Sequence, residues 1–156
     1  MDNKQKYMKL KNQVCSLKYA KELKRLGVGQ ESLFYWQKWV QKEWMITHYN
    51  EFMGKDENGI AEVDGQDTIM SVAEDTDDAC SAFTVGELGE MLPKIGECGT
   101  LNYTFGQDTN GQWYTDLEYG ESFDDSDDDV YYGKTEANAR ADLVIDYIKK
   151  GIIKII

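Results

Sequence analysis

Leu101-Asn102-Tyr103-Thr104-Phe105-Gly106-Gln107-Asp108-Thr109-Asn110-Gly111-Gln112-Trp113-Tyr114-Thr115-Asp116-Leu117-Glu118-Tyr119 is the stretch whose reading decides the fold. Leu101, Tyr103 and Phe105 alternate along one half, and Trp113, Thr115, Leu117 and Tyr119 along the other, the period of two expected of strands with one buried face. Two registers compete. A two-residue Asn110-Gly111 loop sets Phe105 opposite Asp116 and Tyr103 opposite Glu118. A three-residue Thr109-Asn110-Gly111 loop pairs Phe105 with Thr115, Tyr103 with Leu117 and Leu101 with Tyr119. A slip of one residue turns every side chain to the other face, and only the second register gathers the apolar groups together. It also puts Gly111 where left-handed backbone is needed. The pattern therefore predicts a hairpin closed by three residues.

Working outward, Thr84 and Glu87 form a capping box, with Phe83 and Leu88 placed as its hydrophobic staple. They predict a short helix to about Leu92, ended by Pro93. Beyond the hairpin, residues 120–129 read as an acidic loop and Val130-Tyr131-Tyr132 as a short strand. Thr135 caps a last helix with the apolar line Ala137, Ala141, Val144 and Ile148, widened by Leu143 and Tyr147. Gly151 closes it, and the apolar tail Ile152–Ile156 is expected to dock as an edge strand.

Towards the N-terminus, Ser16 is expected to cap a helix bearing Leu17, Ala20, Leu23 and Leu26, stopped by Gly27. Glu31–Met53 is rich in aromatic residues and holds no Gly or Pro. It reads as strand–turn–strand, Leu33–Trp39 against Trp44–Tyr49, although Leu33, Trp36, Val40 and Trp44 also fit helical spacing. Residues 54–79 read as a glycine-containing loop with a short strand near Thr68–Ala73, and residues 1–13 as a polar leader. The expected whole is one α+β domain over 1–156. In it, a small antiparallel β-sheet of four or five strands carries the N-terminal and C-terminal helices packed on one face.

The bulk properties limit function. The chain has 156 residues, 41% hydrophobic and 12% aromatic, enough for a real core. No apolar run approaches a membrane span, and no apolar signal core follows the lysine-rich N-terminus. Cys15, Cys80 and Cys98 are odd in number and widely spaced, which points to free thiols in a reducing compartment. The expected location is the cytoplasm, with no membrane partner. The net charge is −12 and polarised: residues 1–60 carry 11 Lys/Arg against 7 Asp/Glu, and residues 61–140 carry 3 against 20. Such a middle region disfavours direct nucleic-acid binding and suits a basic protein surface. Simple solubilisation by surface acidity is the competing account.

Catalytic patterns are weak. His48 is the single histidine, and nothing local sets it beside a cysteine as a nucleophile's base. A Cys3His zinc set lacks the short paired spacings of such sites. Asp56-Glu57-Asn58-Gly59 and Asp108-Thr109-Asn110-Gly111 lack the alternating ligands and closing Glu of an EF-hand loop. The sequence holds no P-loop, G-x-G-x-x-G, H-E-x-x-H or G-x-S-x-G. The expectation is a protein with no enzyme activity, no metal and no cofactor.

Four phrases carry a resemblance: Cys15-Ser16-Leu17 through Gly27, Gln30 through Trp36, Ala82-Phe83-Thr84-Val85-Gly86-Glu87-Leu88-Gly89-Glu90-Met91-Leu92-Pro93, and Thr135 through Ala141. In this order the chain resembles a family of uncharacterised proteins encoded by phages and prophages of gut bacteria. The resemblance implies a phage accessory protein and brings no catalytic residues with it. Combined with the acidic middle, it yields the expectation of an acidic inhibitor. Such a protein mimics nucleic acid towards a basic groove of a host defence nuclease, as anti-CRISPR proteins do. The carboxylates expected to bind the partner are Glu74, Asp75, Asp77, Asp78, Asp124, Asp125, Asp127, Asp128 and Asp129. The alternative is a phage interaction module without mimicry, using an aromatic patch at Trp36, Trp39 and Trp44, residue types common in binding hot spots. Against that stands the reading of those rings as core.

Overall fold

The aromatic run Phe34-Tyr35-Trp36 becomes the central strand of a three-stranded sheet. The computed structural model describes residues 9–38, 43–51, 53–55, 61–63, 66–93, 101–119 and 130–155. In chain order its elements begin with α1 (Leu17–Arg25), β1 (Phe34–Lys38), β2 (Trp44–His48), a 3-10 turn (Tyr49–Glu51), β3 (Met53–Lys55) and β4 (Ala61–Val63). There follow α2 (Gln66–Asp75), β5 (Ala79–Ser81), α3 (Val85–Met91), β6 (Leu101–Gln107), β7 (Trp113–Tyr119), β8 (Tyr131–Gly133) and α4 (Glu136–Lys149). The class is mixed α+β, and every strand pairing is antiparallel. Among the described residues the strands are shared among three small sheets rather than one, in the orders β2-β1-β5, β3-β4 and β6-β7-β8. The terminal helices pack on one another, α1 also on β5 and α4 also on β7 and β8.

Successive strand residues point to opposite faces, yet both Tyr35 and Trp36 are buried. Trp36 belongs to the main core with Val14, Leu23, Phe83, Leu88 and Val144. Tyr35 faces a second cluster with Ile69 and Ala73 of α2 and Ala79 of β5. Sheet one is thus a layer covered on both sides, which is why its central strand reads as continuous apolar sequence rather than alternation. The Tyr35 hydroxyl donates to the Gln30 carbonyl at 2.9 Å and accepts from the Ser32 N–H at 3.1 Å. Buried Gln30 accepts in turn from the Ser81 N–H at 2.9 Å, whereas the buried Ser81 hydroxyl has no hydrogen-bond partner among the described residues.

The hairpin has the expected register, with Leu101 opposite Tyr119, Tyr103 opposite Leu117 and Phe105 opposite Thr115. Asp108 and Gln112 close its loop, the Asp108 N–H donating to the Gln112 carbonyl at 2.9 Å, and Gly111 lies at φ +75°. The capping box is formed: the Glu87 N–H donates to Thr84 Oγ1 at 3.2 Å, and the Thr84 N–H to Glu87 Oε2 at 2.7 Å. Both staple residues, Phe83 and Leu88, are fully buried. Helix α1 ends in a Schellman motif, the N–H groups of Gly27 and Val28 donating to the carbonyls of Lys24 and Leu23.

Three expectations are corrected. Residues 54–79 are not a continuous loop, and Thr68–Ala73 lies in helix α2 rather than in a strand. Within the polar leader, residues 9–13 are helical. Ser16 occupies the N-cap of α1 without a side-chain capping bond; its N–H donates instead to Asn138 Oδ1 at 2.7 Å, tying α1 to α4. The apolar tail does not pair as a strand. It turns back at Gly151, with the Ile152 N–H on the Tyr147 carbonyl, and leaves Ile152 and Ile155 exposed.

Candidate functional site

Of the residues expected to bind a partner, Glu74 and Asp75 end α2, and Asp77 and Asp78 form the turn into β5. All four are exposed, so they make a ridge of carboxylates on one corner. That corner is the negative end of the α2 dipole, where carboxylates are unfavourable. The compensation comes from other segments. Lys24 of α1 donates to the carbonyls of Thr76 and Ala79, and Lys38 at the end of β1 lies 3.9 Å from Asp78. Asp124, Asp125, Asp127, Asp128, Asp129 and Trp39 lie outside the described residues.

The aromatic patch divides. Trp36 is a core residue, 6% exposed, with its indole N–H donating to the Cys15 carbonyl at 3.0 Å. The core reading of this ring, set against the interface one in the sequence, is the one the structure shows, because the sheet is covered on both faces. Trp44 is half-buried, and the Lys21 ammonium sits 4.4 Å from its ring centroid.

Beside the ridge lies a cleft of about 520 Å³ between α1 and the first sheet, lined by Lys21, Lys24, Arg25, Lys38, Trp44 and Cys80, with Asp77 at its acidic side. This group went unread in the sequence. Lys21, Lys24 and Arg25 fall on one face of α1 at i, i+3 and i+4, a signal that was legible; the arrival of Lys38 was not. A second, more open depression is lined by Glu31, Leu33, Glu87 and Met91.

Arg25 binds Glu22 through two bonds of 2.8 Å, and Lys149 of α4 reaches the same carboxylate at 2.9 Å. Hydrogen bonds from Arg25 and then Lys149 hold the Glu22 carboxyl at about 2, down from 4.5. A depressed carboxyl stabilises the fold above its unfolded value and loses that contribution as pH falls through the folded value. Glu22→Gln is therefore expected to narrow the stability gap from the parent protein steadily between pH 4.5 and about 2. Surface screening keeps the gap small at neutral pH. Urea midpoints of both proteins across that range check it; a gap that widens on acidification would reverse the sign.

Cys98 lies outside the described residues, and the other two thiols are not poised for chemistry. Burial raises Cys15 to about 12, and burial raises Cys80 to about 11 even with Lys24 and Lys21 drawing it down. Both stay protonated at neutral pH, the unreactive form. His48 packs edge-on against Phe34 at 5.1 Å, and its Nδ1 accepts from the Asn50 N–H at 3.2 Å. Among the described residues, no group of three or more His, Cys, Asp or Glu is arranged to hold a metal ion, and no helix is long and apolar enough to cross a membrane. No family model, curated protein or solved structure matches the chain.

Proposed function

We propose that this protein acts by binding rather than catalysis, as a phage accessory protein in the cytoplasm of a bacterial host. Its carboxylates engage a basic surface of a host protein. The partner class is a nucleic-acid enzyme of host defence, inhibited through mimicry of its polyanionic substrate, as with CRISPR effectors. One observation carries the reading. Glu74, Asp75, Asp77 and Asp78 are all exposed within five residues, in a region whose charge is overwhelmingly negative. Facing such a ridge, a basic groove gains long-range steering and specificity.

The test is capture from a bacterial lysate at low salt, eluted along a salt gradient and read by mass spectrometry. A nucleic-acid enzyme is expected to elute early in the gradient. It should be lost when Glu74→Gln, Asp75→Asn, Asp77→Asn and Asp78→Asn are combined. Capture that survives both high salt and the neutralised ridge rejects mimicry. Half-exposed Trp44 supports the second reading, an interaction module without mimicry. That reading expects salt-resistant capture lost in Trp44→Ala.

A further inference from the structure

We infer that the cleft between α1 and the first sheet is a binding site for a small phosphate-bearing molecule. Its lining carries four cations, Lys21, Lys24, Arg25 and Lys38, and one carboxylate, Asp77, while Asp78 and Glu22 pair with Lys38 and Arg25 from outside it. This is a local reversal of sign in a chain of net charge −12. The cations come from two separated elements, so tertiary folding brings like charges together, with Glu22 on Arg25 and Asp78 beside Lys38 offsetting part of their repulsion.

Lys21, Lys24 and Arg25 keep donors for an anion, and Lys38, 3.9 Å from Asp78, adds its charge at the rim. Lys24 has three N–H donors, and the carbonyls of Thr76 and Ala79 take two, which fixes its ammonium in place. Arg25 gives Nε and one Nη2 hydrogen to Glu22; its remaining edge, with Nη1, has the fork geometry that suits phosphate. Lys21 lies over the Trp44 ring, 4.4 Å from its centroid, and an ammonium so placed still carries N–H donors. Anchoring of Lys24 and Arg25 in advance lowers the ordering cost of binding. Trp44 and the neutral Cys80 thiol add an apolar wall beside the cations. A cleft of about 520 Å³ is within the range of small-molecule sites, roughly 300–1,000 Å³. Cations beside an aromatic wall fit phosphate joined to a flat apolar group, or an oligophosphate alone. This inference needs no protein partner, although the cleft shares Asp77 with the acidic ridge.

Isothermal titration of the purified chain with ATP, inorganic pyrophosphate and adenosine tests it. ATP and pyrophosphate are expected to bind saturably and adenosine not to bind. Lys21→Gln and Lys38→Gln should each weaken phosphate binding about tenfold, the factor for one lost charge-assisted bond. Lys134→Gln, placed in the turn between β8 and α4, should leave it unchanged. Both cleft lysines are largely solvent-facing, so matching thermal melts verify folding. ATP binding tighter than pyrophosphate, with the excess removed by Trp44→Leu, identifies a nucleotide. Equal affinities identify an oligophosphate. Absence of saturable binding by either phosphate compound, or binding equally strong in both lysine variants, overturns the site.

Discussion

Trp36→Ala is expected to cost about 3–5 kcal/mol of folding stability, the range for truncating a buried aromatic ring. The ring is 6% exposed and sits where β1 meets the main core, and its N–H satisfies the Cys15 carbonyl at 3.0 Å. Truncation leaves a cavity beside Leu23 and Phe83 and strands a buried acceptor, two costs that add. Trp36→Phe keeps most of the volume and isolates the loss of the bond, at about 1–2 kcal/mol. Trp44→Ala removes a half-buried ring and should cost clearly less than Trp36→Ala. Chemical denaturation of the three variants orders them. If Trp36→Ala keeps the parental midpoint while binding is lost, Trp36 belongs to an interface and the core assignment fails.

Gly133→Ala is the second large effect expected. An added Cβ would lie 2.4 Å from the Ala139 backbone nitrogen and 2.9 Å from the Asn138 carbonyl carbon. Those atoms belong to the first turn of α4, which cannot yield like a flexible side chain. Thr135 caps that turn through the Asn138 N–H at 3.2 Å, and Asn138 Oδ1 holds the N–H of Ser16 at 2.7 Å. Insertion of a methyl must therefore push β8 off α4 and disturb the junction with α1. The cost is about 3 kcal/mol, the upper end for overpacking, or a fall in Tm of about 10 °C for a chain of this length. Gly29→Ala is the control: nothing lies within 4 Å of its added Cβ, and it should stay within about 0.5 kcal/mol. Melting curves that fail to separate the two variants would deny that β8 and α4 touch through bare backbone.

The candidate sites were only partly legible in the sequence. The acidic residues 74–78 stood out as a charge run, yet the sequence reading placed them on a loop. The helix carrying them, α2, ends in Glu74 and Asp75, the wrong charges for its dipole, and so it lacks the usual C-terminal signal. Its stabilising lysine, Lys24, comes from 52 residues away. The cleft was hidden for a related reason. Three of its cations share a helix face, whereas Lys38 and Trp44 reach it only through the β1–β2 pairing.

The sequence by itself determined what neighbouring residues decide between them. The Thr84–Glu87 box, the turn at Gly111 with its hairpin register, and the stop at Gly27 each depend on bonds spanning a few residues. Local chemistry therefore selects one outcome there. Over residues 31–53 aromatic content tipped the reading towards strands without excluding a helix, and the strands Phe34–Lys38 and Trp44–His48 settle it. Tertiary structure decided what depends on cover and partner. It split the strands into three sheets, sealed both faces of β1, turned Trp36 inward, and drew α2 out of a presumed loop. It also gathered scattered lysines around Trp44. A side chain's environment is set by elements distant in the chain, and burial gains its free energy only when those elements arrive.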